Sequence, residues 1–396
     1  MPQESLDAIY LDTVHADAPW PVSRNCRMTV VMPAKNEATL IVQALTALAE
    51  QRGEDGSRLD LRLFDVIVYC NDCTDDTSVR ARLFARRTSD LTIHVIETRL
   101  PPTSAHVGTA RRNALEFAVR RFMDAGRPEG IVASTDADSV VEPTWVAAML
   151  RELRGADAVG GFVGVAAPER DAMMAPQRLL YDRELVYRRL LGLAEDRFDP
   201  RPYDPFPRHD TFVGANFATT AAAYRRAGGL APLPRLEDLA FAQALERVDA
   251  RIRHTYDARV VTSARSIARV DGGFGTFLGE LSDLGQQRHD YLVRPARAIV
   301  EDAKARALLR TCWYGELRGE RLDGLVRLVA QCESRLRSAA RSAPTFGAFW
   351  EDVRSRAPQS RYPLEPVQSA IRALRLALAE PIPRVPTRNS VASGAG

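Results

Sequence analysis

The chain has 396 residues, 45% of them hydrophobic and 27% charged, with a formal net charge of only +3. This is the composition of an ordinary globular protein, long enough for a large core and two or so domains. Its basic residues are almost all Arg and are spread along the chain, which excludes the clustered basic face that nucleic acid requires.

Residues 1–26 carry Pro and acidic residues and read as an irregular lead-in. Met28 to Met32 is apolar and β-branched, a buried strand that Pro33 is expected to end. Thr39 to Gln51 follows with helical spacing, Leu40, Ile41, Ala44, Leu45 and Leu48 sharing one face. A second strand is expected at Leu63 to Tyr69, then a polar turn (Asn71 to Thr77), a helix over 77–87, and a third strand at Leu91 to Glu97. The loop from Pro101 to Gly108 leads into a long helix, Ala110 to Ala125. A fourth strand begins at Ile131. Strand then helix, repeated in this way, predicts a mostly parallel α/β sheet flanked by helices. Ligands sit beyond the carboxyl ends of such strands, where the polar clusters 33–37, 71–77 and 134–139 fall.

Further on, a strand is expected at Asp157 to Val165 and a helix over about 172–195. Residues 196–210, rich in Pro and charge, read as a mobile loop and a candidate lid. Thr211 to Ala218 reads as a turn, Ala221 to Arg226 as a short helix stopped by Gly228 and Gly229, Leu236 to Val248 as a helix, and Arg259 to Thr262 as a last short strand. After Gly279 the pattern is helical to about residue 380, and the end of the chain reads as a disordered tail. These signals divide the chain into a lead-in at 1–26, an α/β domain at 27–280, a helical region at 281–382 and a tail at 383–396.

Five Cys are scattered along the chain. Cys70 and Cys73 have C-x-x-C spacing, but no second pair follows and they flank a strand-to-turn junction, so reduced thiols are expected rather than a redox or zinc site. The N-terminal residues lack a basic-then-apolar signal pattern, and no apolar run is long enough to span a bilayer. A soluble, cytoplasmic protein is expected, with peripheral membrane contact left open.

The richest stretch is Gly130 to Pro143. Ile131 to Ala133 ends in Ser134 and Thr135, then come Asp136 and Asp138. In extended chain, side chains two apart point the same way. Two such carboxylates repel, and a Mg²⁺ or Mn²⁺ ion, which takes hard oxygen ligands and borrows others from a diphosphate, would resolve the conflict. Turn or cap residues have the same pattern.

Five segments in register resemble family 2 glycosyltransferases of the GT-A fold. They are Pro33-Ala34-Lys35-Asn36-Glu37, Cys70 to Thr77, Gly108 to Asn113, Asp136-Ala137-Asp138, and Glu237-Asp238 preceded by the turn Gly214-Ala215-Asn216. The likeness covers residues 28–240 and implies an inverting transfer of a sugar from a UDP- or GDP-type donor to a hydroxyl acceptor. It implies a nucleotide contact at 33–37, chiefly Ala34 and Glu37, and at Asn71 and Asp72, with Arg112 on the donor. Asn71 stands where the family commonly has Asp, which leaves the base open. It implies Asp136 and Ala137 at the donor sugar, Asp138 with Asp136 at the metal, and Asp238 as the base. Glu237 is left to pair with an Arg or to meet acceptor hydroxyls. Gly214, Ala215 and Asn216 are expected at the acceptor. Arg265 and Arg269 are candidates for closing over the diphosphate, and His254 and His289 for extra metal ligands.

An oxidoreductase reading fails for want of a G-x-G-x-x-G turn after the first strand. A nucleotidyltransferase reading fails for want of a Gly-rich basic loop there. A catalytically silent nucleotide-sugar-binding relative remains the alternative to the enzyme.

Overall fold

A computed structural model describes residues 20–262, 273–313, 326, 329, 331–356 and 362–380. Its first half is built on β1 (Met28–Ala34), α1 (Ile41–Ala49), β2 (Phe64–Asn71), α2 (Thr77–Arg87), β3 (Thr92–Thr98), α3 (Val107–Asp124) and β4 (Ile131–Ser134). These strands pair in parallel in the order β3-β2-β1-β4. Every residue of β1 and β2 is buried. The reason is a cover on both faces, which is what makes such strands continuous apolar runs. Met28, Val30, Met32 and Ala34 pack with Ile41, Leu45 and Leu48 of α1 and Ala81 of α2. Val31 turns the other way, into a core with Ala110, Ala114 and Ala118 of α3.

The second half adds β5 (Ser139–Val141), α4 (Trp145–Glu152), β6 (Ala158–Val165), α5 (Ala167–Asp171), α6 (Ala175–Phe198), β7 (Phe217–Thr220), α7 (Ala221–Arg226), α8 (Glu237–Arg247) and β8 (Ile252–Thr262). The full sheet runs β3-β2-β1-β4-β7-β6-β8-β5. The turn expected over 211–218 therefore ends in a strand: β7 lies antiparallel between β4 and β6. The last strand is longer than expected, since β8 starts at Ile252.

Residues 135–138 alone join β4 to β5 at the far edge, with β7, β6 and β8 between them. Four strand spacings of about 4.8 Å make roughly 19 Å. A link this short reaches about 17 Å fully extended. The sheet must therefore curl. The bend is visible as a bulge: consecutive Gly161 and Phe162 of β6 pair with Thr255 and Arg259 of β8. The same curl brings the two acidic residues of the link over the sheet's carboxyl end.

Residues 199–210 correct the expectation of a mobile lid. Asp199, Asp204 and Arg208 have no exposed surface, and His209 is also buried. Arg208 holds Asp204 at 2.9 Å, Arg253 and His254 of β8 reach the same carboxylate, and Arg306 and Arg310 hold Asp199. The charge-rich composition thus marks a buried ionic knot, with partners supplied by distant elements.

The helical remainder comprises α9 (Phe274–Gln287), α10 (Ala296–Trp313), α11 (Glu333–Ser342), α12 (Phe346–Ser355) and α13 (Val367–Ala379), with a two-stranded pairing of β9 (Leu292–Val293) and β10 (Glu365–Pro366). The long helix α6 packs against α9, α10 and α13 and so joins this region to the sheet. Among the described residues, no helix is long and apolar enough to cross a membrane.

Candidate active site

Beyond the carboxyl ends of β1, β2 and β4 lies a cleft of about 720 Å³, within the roughly 300–1,000 Å³ typical of small-molecule sites. Pro33, Ala34, Lys35, Asn36, Glu37, Asn71, Asp136, Ala137 and Asp138 line it together, with Ala105, His106, Val107, Pro234 and Arg235. The segments after β1, β2 and β4 thus meet in one place.

Local chemistry explains how each segment is held. Asn36 is left-handed (φ 57°), a conformation that Asn tolerates better than most residues. Its Oδ1 accepts the Thr74 N–H at 2.8 Å, pinning the loop after β1 to the loop after β2. The Glu37 N–H donates to Thr77 Oγ1 at 2.8 Å, and Asp75 accepts from both Thr77 and the Ala38 N–H. Asp72 is also left-handed (φ 50°). Its carboxylate accepts from the Leu100 N–H at 3.1 Å and from Asn71 Nδ2 at 3.2 Å. Asp72 is therefore a brace for Asn71 and is not among the cleft-lining residues, whereas Asn71 is.

Behind Asp136 sits Arg111, 3% exposed. Its guanidinium donates to Asp136 Oδ1 at 2.9 Å, Glu237 Oε1 at 3.2 Å, Ser134 Oγ at 2.7 Å and the Gly214 carbonyl at 2.7 Å. Burial alone would lower its pKa. The carboxylates of Asp136 and Glu237 outweigh that and hold it above the ordinary arginine value. Glycine at 214 leaves room for the Arg111 guanidinium, whose carbon would lie 2.7 Å from a Cβ there. Gly108 is required for a similar reason, since a Cβ would meet the Leu233 carbonyl oxygen at 1.9 Å.

The acidic pair opens α8; like Arg111, it is not among the cleft-lining residues. Leu236, just before it, is left-handed (φ 56°), which for a leucine is a costly conformation and sets the direction of the helix start. Glu237 is buried against Arg111. Asp238 is half-buried, and its Oδ2 accepts the Gly214 N–H at 2.7 Å while Oδ1 accepts the Leu239 N–H.

Three expected roles meet a different geometry. Arg112 donates to the Leu230 carbonyl at 3.2 Å; neither it nor Arg111 lines the cleft, but Arg111 bonds Asp136, which does. One residue along a helix is about 100° of rotation. Arg111 shares a stripe with Ala114, Leu115 and Ala118, the i+3, i+4, i+7 spacing of a buried face, and that signal is present in the sequence. Asn216, expected at the acceptor, has no exposed surface. Its amide donates to the carbonyls of Phe162 and Ala258 and accepts from Trp145 Nε1, so it secures the β6–β8 bulge. Gly214 is buried and Ala215 half-buried. His254 pairs with Asp204 away from the cleft, and His289 is exposed at the end of α9. Arg265 and Arg269 lie outside the described residues. Cys70 is buried, with its thiol pKa pushed up by burial, and Cys73 donates to the Ala34 carbonyl.

Residues 29–227 match the family model for glycosyl transferase family 2. The chain belongs to that family. No curated protein matches it. Similar solved structures include the mannosyltransferase PcManGT from Pyrobaculum calidifontis in complex with GDP-Man and Mn²⁺. It is 19% identical, with 95% of this chain and 92% of that one covered and a TM-score of 0.42. S. aureus TarS in complex with UDP-GlcNAc is 16% identical over 83% of this chain and 90% of that one, with a TM-score of 0.43. Glucosyl-3-phosphoglycerate synthase from Mycobacterium tuberculosis, with Mn²⁺, UDP and phosphoglyceric acid, is 16% identical over 77% and 86%, with a TM-score of 0.37.

Whether this family 2 chain can accommodate a dication is a question of its own donor set. Asp138 and Asp136 line the cleft, and the Asp136 side chain is 34% exposed although Oδ1 is committed to Arg111. Among the described residues, no group of three or more His, Cys, Asp or Glu is arranged to hold a metal. Two carboxylates beside a cleft of this size suit Mg²⁺ or Mn²⁺, which bind through one or two carboxylates and complete their shell with water and substrate phosphates.

Proposed function

We propose that the protein transfers a sugar, with inversion and with metal assistance, from a nucleotide-diphosphate donor to a hydroxyl acceptor. One observation carries the reading: Arg111 joins Asp136 of the D-x-D link, which lines the cleft, to Glu237 of the acidic pair, and this supports assigning both motifs to one site. In this reading, residues 33–37 and Asn71 receive the nucleoside. Asp136 and Asp138 are the residues that would hold a dication. When bound, such an ion steadies the diphosphate and offsets charge on the departing nucleotide.

Asp238 takes the proton of the acceptor hydroxyl as that oxygen attacks the sugar's anomeric carbon from the face opposite the leaving group. The new bond forms between the acceptor oxygen and that carbon, and the carbon–oxygen bond to the diphosphate breaks with its electron pair on the nucleotide. The partial exposure of Asp238 supports this choice over Glu237, which is buried and paired with Arg111. The Gly214 N–H fixes the orientation of the carboxylate.

The test is a thermal-shift screen of UDP- and GDP-sugars with and without Mn²⁺, followed by release of free nucleoside diphosphate. Metal-dependent stabilisation by a sugar nucleotide is the expected result. Binding without release on any acceptor would instead make the protein a binding module, and no binding at all would end the reading.

A further inference from the structure

We infer that Arg111 is a positioning residue that couples the donor half of the site to its base, fixing Asp136 directly and Asp238 through Gly214; this rests on the reading of the cleft given above. The guanidinium spends its fork on four acceptors from three parts of the chain: Ser134 and Asp136, Gly214, and Glu237. Ser134 Oγ, while accepting from Arg111, itself donates to the Gly214 carbonyl at 2.8 Å. Gly214 is thus clamped on both sides. Its carbonyl takes two donors from below, and its N–H holds Asp238 Oδ2. A change at Asp136 can reach Asp238 from the same guanidinium by two routes, through Gly214 and through Glu237, the residue before Asp238.

Lysine cannot replace the fork, since one ammonium cannot present planar donors to acceptors in four directions. The missing Cβ at Gly214 is the complementary half of the fit, since a side chain there would displace the guanidinium. Buried Arg with carboxylates commonly serves stability alone. Here one of the carboxylates lines the cleft and stays partly exposed, and that distinguishes a coupling element from a scaffold pair.

The experiment compares wild type with Arg111→Lys by hydrogen exchange at the Gly214 amide, and by nucleoside diphosphate release from GDP-mannose and UDP-GlcNAc at varied Mn²⁺. In Arg111→Lys, exchange at Gly214 is expected to quicken tenfold or more while the β2 amides stay protected. Turnover should fall about a hundredfold and half-saturation by Mn²⁺ should rise about tenfold. A role in stability alone would lower the melting midpoint without moving the Mn²⁺ half-saturation. Should Arg111→Lys fail to fold, Ser134→Ala trims one anchor and is expected to show the same pattern at about threefold. Unchanged exchange at Gly214 in the folded variant overturns the inference. Wild type inert to both donors counts against the functional reading, while the exchange comparison still decides the coupling.

Discussion

Among the described residues, two of the buried ionic clusters are built to different ends. Around Arg111, one arginine meets two carboxylates, and one of these, Asp136, keeps a third of its side chain exposed at the cleft. Around Asp204 and Asp199, arginines outnumber acids: Arg201, Arg208, Arg253, Arg306 and Arg310 converge on Glu195, Asp199 and Asp204, and neither Asp has any exposed surface. The first cluster is open on one side and carries residues that a substrate can reach. The second is closed, and it ties loop 199–210, β8 and α10 together. Burying charge is costly in both. The open cluster keeps one carboxylate, Asp136, at the cleft, and the closed one bonds α10 to the 199–210 segment.

That contrast is sharpest when each cluster is broken. Asp238→Asn is expected to lower transfer by about 10³-fold, or roughly 4 kcal/mol of barrier. Donor binding, measured by calorimetry with Mn²⁺, should stay within a few-fold of wild type. Equal turnover in the variant would remove Asp238 as the base. Asp138→Asn should abolish the extra thermal stabilisation that Mn²⁺ gives in the presence of a sugar nucleotide, leaving the midpoint of the ligand-free protein within a degree or two. A variant that keeps its Mn²⁺ response would place the ion elsewhere.

In the closed cluster the expected phenotype reverses. Asp204→Asn leaves Arg208 buried against a neutral amide, and loss of about 3 kcal/mol of stability is expected from denaturant unfolding. Donor affinity of the folded fraction should be unchanged. Asp204 also makes stability acid-sensitive. Burial opposes its charge, but His254 and the arginines overcome this and hold its pKa far below the ordinary aspartate value. Its contribution is therefore present above the unfolded carboxyl value near 4 and is lost as pH falls below it. Affinity loss in Asp204→Asn equal to that in Asp138→Asn would erase the distinction between the clusters.

Much of the open cluster was legible before any coordinates. The parallel strands β1, β2 and β4 announce themselves as apolar runs because both faces are covered, and the polar turns that follow them had to share one end of the sheet. What could not be read was pairing across the chain. The start of β7 falls inside the turn expected over 211–218, because Gly214 and Asn216 dominate that stretch, yet those residues serve Arg111 and the bulge of β8. Arg111 and Arg112 have the same chemistry, and only the helical stripe of Ala114, Leu115 and Ala118 separates them. The closed cluster was misread altogether. Its Pro- and charge-rich composition signals a solvated loop unless the partners are known, and Arg253, Arg306 and Arg310 lie far along the chain.

The smallest expected effect concerns His209, at the edge of the closed cluster. Its Nε2–H donates to the Thr255 carbonyl at 3.0 Å, and Nδ1 accepts from the N–H of Thr211 at 3.2 Å and from its hydroxyl at 2.9 Å. The neutral ring with its proton on Nε2 satisfies both nitrogens, whereas a proton on Nδ1 would face the Thr211 N–H. Burial, and then the neighbouring His254, pull its pKa from 6.5 down to about 3; Asp204 opposes this and Arg188 adds to it. The unfolded chain therefore binds a proton that the folded chain refuses. Stability from this residue is complete above pH 6.5 and declines as pH falls towards about 3, with a slope of up to roughly 1.4 kcal/mol per unit. Between pH 7.5 and 5 the loss should be about 2 kcal/mol. His209→Asn keeps an acceptor for Thr211 but cannot titrate, so it should start less stable at pH 7.5 and lose less on acidification. Parallel pH profiles for the two proteins, measured by urea unfolding, would show that the ring is not held neutral in the fold.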